Sequence, residues 1–153
     1  MTPILSIDPG AAGGFAWRDR DSNFFAQAMP QTPGDVLDAL TEIHAMNPGI
    51  IAVMEKVGGF IAGNPAPGST MFNFGHGVGF IEGVLMARSV SLEIVTPQKW
   101  QKHHQLGTRG NMTKGEWKNK AKAMAQRLYP MLKVTLGVSD ALLILEYKIA
   151  KTR

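Results

Sequence analysis

Two runs of this chain, ILSID at residues 4–8 and IIAVME at 50–55, are almost wholly apolar, and each stops on a carboxylate, Asp8 or Glu55. Continuous apolarity over so short a span marks a strand buried on both faces. Such strands belong to parallel sheets covered by helices on each side. Asp8 leads at once into Pro9-Gly10 and a glycine-rich turn. Adjacent parallel strands present their carboxyl ends side by side, where ligand sites collect in open α/β sheets. Asp8 and Glu55 are then expected one strand spacing apart, roughly 5 Å between backbones. Two carboxylates that close raise each other's proton affinity unless a cation lies between them. Hard oxygen ligands with open positions suit Mg²⁺ or Mn²⁺.

The other segments fit around those two strands. GGFAWR (13–18) and FFAQAM (24–29) stand at hairpin spacing about a polar connection. PGDVLDALTEIHAM predicts a helix with Val36, Leu37, Leu40, Ile43 and His44 on one face, stopped by Asn47-Pro48-Gly49. Residues 56–69 are rich in Gly and Pro and read as a loop. MFNFGHGVGFIEGVLMARS (71–89) predicts a helix despite glycines at 75, 77, 79 and 83. Each glycine costs up to about 1 kcal/mol against alanine, which predicts close backbone packing on a neighbour. SLEIV (91–95) is a further strand, and Thr96-Pro97 opens a short helix, PQKWQKHH. Thr113 and Glu116 form a capping box for a helix ending near Tyr129. VSDALLILEYKIA closes the chain as an amphipathic helix with Leu142, Leu143, Leu145 and Ile149 inward. The order β-β-β-α-β-α-β-α-α-α predicts one α/β domain over residues 1–153, a five-stranded mixed sheet with helices on both faces.

The chain has no cysteine, which excludes disulfides, thiolate metal sites and a cysteine nucleophile. No apolar run is long enough to span a bilayer and no signal core opens the sequence, so no membrane partner and a cytoplasmic location are expected. Charge is split unevenly. Residues 1–96 carry four Lys/Arg against nine Asp/Glu, net −5, and residues 97–153 carry twelve against three, net +9. A basic third on an acidic body suits a polyanion partner, although a solvated lysine face gives the same pattern. Lys114, Lys118, Lys120 and Lys122 lie on or beside one helix, and Lys118 and Lys122, four apart, share a face. Lys99, Lys102 and Arg109 extend the same basic surface.

A third acid, Asp140, stands near the start of the last helix among core-facing residues. Two readings stay open for it, a helix N-cap or a third ligand. With Asp8 and Glu55 it would complete a site for two metals about 3.5–4 Å apart, the geometry that drives in-line attack on a phosphodiester.

These residues carry a family resemblance. IDPGAAGGFAW resembles the opening of RuvC-type Holliday junction resolvases, AVMEKVGGFIAGN their second motif, and SDALLILEY their last. TPQKWQK and KGEWKNKAKAMAQRLYP also fall in the expected order, so the resemblance spans nearly the whole chain and is closest to compact, phage-associated members. It implies a ribonuclease-H-like fold, a homodimer, and symmetric Mg²⁺- or Mn²⁺-dependent cleavage of four-way or other branched DNA in recombination and repair. It implies that Asp8, Glu55 and Asp140 are catalytic metal ligands, and it favours DNA contact for the basic residues.

One departure from that family is visible. Many members carry a fourth ligand shortly before the last aspartate, where this chain has Leu136, Gly137, Val138 and Ser139. Glu146 lies too far along the helix to replace it. A junction-binding protein with weak or lost cleavage is therefore the alternative, and a sugar-kinase or actin-like nucleotide domain is a third reading that the chain length disfavours. Phe60, in the loop after Glu55, reads either as a wedge at unpaired bases or as a loop anchor. Phe72 and Phe74 read the same way or as part of a dimer contact. Gly75, Gly79 and Gly83 share a helical face that packs either on a second copy or on the chain's own sheet. His76, His103 and His104 read as surface groups.

Overall fold

The computed structural model describes residues 1–58 and 67–152; Phe60 lies outside them. The elements are β1 (Ile4–Asp8), β2 (Gly14–Arg18), β3 (Phe24–Ala28), α1 (Pro33–Met46), β4 (Ile51–Glu55), α2 (Gly68–Ala87), β5 (Leu92–Val95), α3 (Pro97–His103), α4 (Lys114–Leu128) and α5 (Leu136–Thr152). The sheet order is β3-β2-β1-β4-β5. β1 pairs antiparallel with β2 and parallel with β4, and β4 pairs parallel with β5. Among the described residues no helix is long and apolar enough to cross a membrane.

Strand periodicity sorts β1 into two faces. Leu5 and Ile7 join the core under α1 and α2, whereas Ile4 joins the core under α3, α4 and α5. β4 divides likewise, with Ala52 and Met54 on the first face and Val53 on the second. Asp8 follows Ile4 by two periods and Glu55 follows Val53 by one, so both acids belong to the α5 face. Both strands are continuously apolar because each is covered from both sides.

α5 is buried almost all round, and Val138 through Leu145 are all inaccessible or nearly so. Its height against β1 is set by Ser6, which is wholly buried. The Ser6 hydroxyl lies 2.6 Å from the Ala141 carbonyl and 3.0 Å from the Ala16 carbonyl, sharing one proton between them. This contact joins the residue two before Asp8 to the residue after Asp140. Ser6→Ala is expected to lower Tm by about 2–4 °C, the size of one buried hydrogen bond. An unchanged Tm in thermal melts would show that the hydroxyl anchors nothing.

Three expectations need correction. α2 forms, but a Cβ built at Gly75, Gly77, Gly79 or Gly83 meets nothing within 4 Å among the described residues, so these glycines mediate no close packing there. His104 is buried rather than on the surface, because the last turn of α3 lies on α5 and its Nε2 pairs with the Leu143 carbonyl at 2.7 Å. Leu37 is 38% exposed, leaving Val36, Leu40 and Ile43 as the buried stripe of α1.

Candidate active site

β1 and β4 run in register through Ile7 and Met54, so Asp8 and Glu55 end adjacent parallel strands at the same level. The turn after β1 is shaped around Asp8. A Cβ on Gly13 would lie 2.1 Å from the Asp8 carbonyl oxygen, so only glycine fits there. Gly10 takes a φ of +117° and seats the edge of Phe74 from α2. Asp140 comes from α5. It stands a full turn inside that helix, so it is not the N-cap.

The three carboxylates share one electrostatic environment. Burial pushes Asp8 up to about 8, with Asp140 and then Glu55 adding to the rise and Lys118 opposing it. Glu55 is also raised, chiefly by burial and then by Asp140, against the pull of a hydrogen bond from Trp100 and of Lys118. Lys118 reaches in from α4 and ion-pairs with Asp140 Oδ2. Burial would lower the lysine, but Asp140 foremost, with Asp8 and Glu55, outweighs it and holds the ammonium above its usual range.

Two of the acids already have partners. The indole of Trp100, 1% exposed, donates to Glu55 Oε2 at 2.8 Å. Lys118 occupies one oxygen of Asp140, and the other, Oδ1, is buried with no hydrogen-bond partner among the described residues. Among the described residues no three His, Asp or Glu side chains gather around a common point as an ion's ligands. An orphaned carboxylate oxygen beside two carboxylates of raised proton affinity is nonetheless the donor chemistry that a hard divalent cation satisfies. The residues therefore fit Mg²⁺ or Mn²⁺ in kind. The residues preceding Asp140 add no ligand. Ser139 Oγ donates to the Leu136 carbonyl at 3.0 Å, and a Cβ on Gly137 would approach the Ala12 and Gly13 carbonyls to 3.4 Å.

No family model matches the sequence, and no curated protein matches it. Solved structures do match the backbone. Thermus thermophilus RuvC in complex with a Holliday junction substrate aligns with a TM-score of 0.68 at 11% identity, over 99% of this chain and 95% of that one. The fold is ribonuclease-H-like. A second Thermus thermophilus RuvC structure gives a TM-score of 0.58 at 13% identity, over 98% and 96% of the two chains. The resemblance in the motifs thus extends to the RuvC fold as a whole.

The basic residues divide by position. Lys99, Lys102, Arg109 and Lys114 are exposed, and Lys122 is half-buried. Lys118 turns inward to the acids rather than outward. Lys120 Nζ donates to the Leu106 carbonyl at 2.5 Å and lies 5.9 Å from the centre of the Trp117 ring. Sequence reasoning missed Trp100 and Ser6. Both carry a readable signal, because a buried indole or a hydroxyl inside an apolar strand needs a hydrogen-bond partner.

Proposed function

We propose that this protein is a metal-dependent, structure-selective DNA endonuclease that resolves Holliday junctions or other branched DNA by symmetric phosphodiester cleavage. The buried acid cluster with its orphaned Asp140 oxygen, at the carboxyl ends of two parallel strands, carries this reading. The ribonuclease-H-like fold and the basic C-terminal third support it.

Asp8, Glu55 and Asp140 would hold Mg²⁺ or Mn²⁺. When bound, the metal supplies Lewis acidity to the scissile phosphate and lowers the pKa of the attacking water. Trp100 fixes the orientation of Glu55. Lys118 neutralises Asp140 until a stronger cation arrives. Lys99, Lys102, Arg109, Lys114, Lys120 and Lys122 would bind backbone phosphates, and Phe60 is proposed to stack at the junction centre. No side-chain nucleophile is required.

A homodimer fits the same reading, since two sites related by a two-fold axis match a near-symmetric junction. The open glycine face of α2, with Phe72 and Met86 72% and 77% exposed at its two ends, is the proposed contact.

The test is nicking of a labelled four-way junction. Wild type is expected to cut symmetrically in Mg²⁺, while Asp8→Asn and Asp140→Asn lose about 10²–10³-fold in rate, as removal of a required charge-stabilising group does. The absence of a free ligand oxygen between Leu136 and Ser139 favours a second reading, junction binding with weak cleavage. Tight junction binding by wild type with no product in either metal would select it.

A further inference from the structure

A cavity of about 690 Å³ opens between α3, the loop that follows it and α4. These are the helices that deliver Trp100 to Glu55 and Lys118 to Asp140. It is a groove walled by these elements and open to solvent. Gln98, Gln101 and Gln105 line it together with the Trp117 ring, and Lys102 and Arg109 complete the wall. A groove that only tracked phosphates would need cations alone. Three amides, each able to donate and accept, beside a half-buried indole match the edge and face of a nucleobase.

The backbone positions one of these amides. α3 ends in a tight turn closed by Gln105 N–H to the Lys102 carbonyl at 3.0 Å and Leu106 N–H to the Gln101 carbonyl at 3.1 Å. Gln105 itself takes a φ of +54°. Helix ends of this kind favour glycine, and a side chain there is held against a steric cost. The same motif ends α2 at Ser89, with a φ of +56°, so the turn is an ordinary helix stop that fixes where one of the three lining amides stands. Lys120 Nζ lies near the Trp117 ring as well, 5.9 Å from its centre.

We propose that this cavity is a nucleobase pocket. It takes one unpaired base of the branched substrate, stacks it on Trp117 and reads its hydrogen-bonding edge through the glutamines, while Lys102 and Arg109 hold the flanking phosphates. The pocket rests on the branched-DNA reading above and names the part of the DNA that the surface beside the acids recognises.

The test compares a thymidine oligonucleotide, the same oligonucleotide with abasic central residues, and a four-way junction, each titrated against the full chain without metal. The base-bearing strand is expected to bind about tenfold tighter than the abasic one, the worth of one stacked base. Trp117 fluorescence, taken as wild type minus Trp117→Phe, should be quenched only by the base-bearing strand. Gln101→Ala and Gln105→Gly should each bring the two strands within about twofold of each other. Gln105→Gly should also melt no lower than wild type, because glycine relieves the turn, so its binding defect would not reflect unfolding. Equal affinity of wild type for the two strands, or base dependence that survives both substitutions, would overturn the pocket. If the junction still binds in that case, only the pocket falls. If wild type binds neither the strands nor the junction, the branched-DNA reading falls and takes the pocket with it.

Discussion

Asp8→Asn is expected to make the metal-free protein more stable at pH 9, raising Tm by about 5–10 °C. Burial foremost, then Asp140 and Glu55, pushes the Asp8 carboxyl up to about 8 from 3.8, with Lys118 only partly offsetting them. A folded state that holds its proton more tightly than the unfolded chain loses stability as pH rises between the two values. For Asp8 that loss accumulates from about pH 4 to about pH 8 and then levels off. One unit of such a shift corresponds to about 1.4 kcal/mol, so a penalty of several kcal/mol is stored at the end of β1. The amide cannot ionise and escapes it. Melting in chelator should therefore show the two proteins nearly equal at pH 4 and diverging as pH rises. Added Mg²⁺ should stabilise wild type by mass action and leave the variant almost unmoved. A variant less stable than wild type at pH 9 in chelator would mean that Asp8 is not held against its own ionisation.

That penalty explains why some parts of the site were legible in the sequence and others were not. Asp8 and Glu55 stood out because an acid ending a doubly buried strand serves no packing purpose, and strand periodicity puts both on the α5 face. The five strands follow from apolar runs and turn residues, and the capping box of α4 forms as expected, with Thr113 accepting from the Glu116 N–H. Asp140 was less readable, because an aspartate near a helix start is usually a cap. Its place depends on where α5 lies along β1, a long-range packing to which the Ser6 contact with Ala141 contributes. The partners of Glu55 and Asp140 come from α3 and α4, 45 and 22 residues away in sequence, where no local pattern points to them. The glycines of α2 misled for a related reason. Spacing marks a face that permits close approach but does not say what approaches, and among the described residues nothing does.

Lys118→Met is expected to separate the resident counter-ion from the role of phosphate contact. The substitution keeps most of the aliphatic stem and removes the ammonium paired with Asp140. Breaking a fully buried ion pair from one side costs about 3–5 kcal/mol. The Lys118 side chain is 33% exposed, so solvent screens part of this, and about 2 kcal/mol, or roughly 5 °C in Tm, is the expected loss in chelator at pH 9. The loss should shrink toward pH 5. Lys118 lowers the proton affinity of Asp8 and Glu55, and without it both acids take up protons more readily and need no cation once neutral. Mg²⁺ should then do in the variant what the ammonium does in wild type. Its half-saturating concentration for thermal stabilisation should fall about tenfold, because it no longer competes with a fixed positive charge. A lysine that served only to grip phosphates would give the opposite pattern, with unchanged melting in chelator at every pH and unchanged response to Mg²⁺. Weakened DNA binding would then be its sole effect.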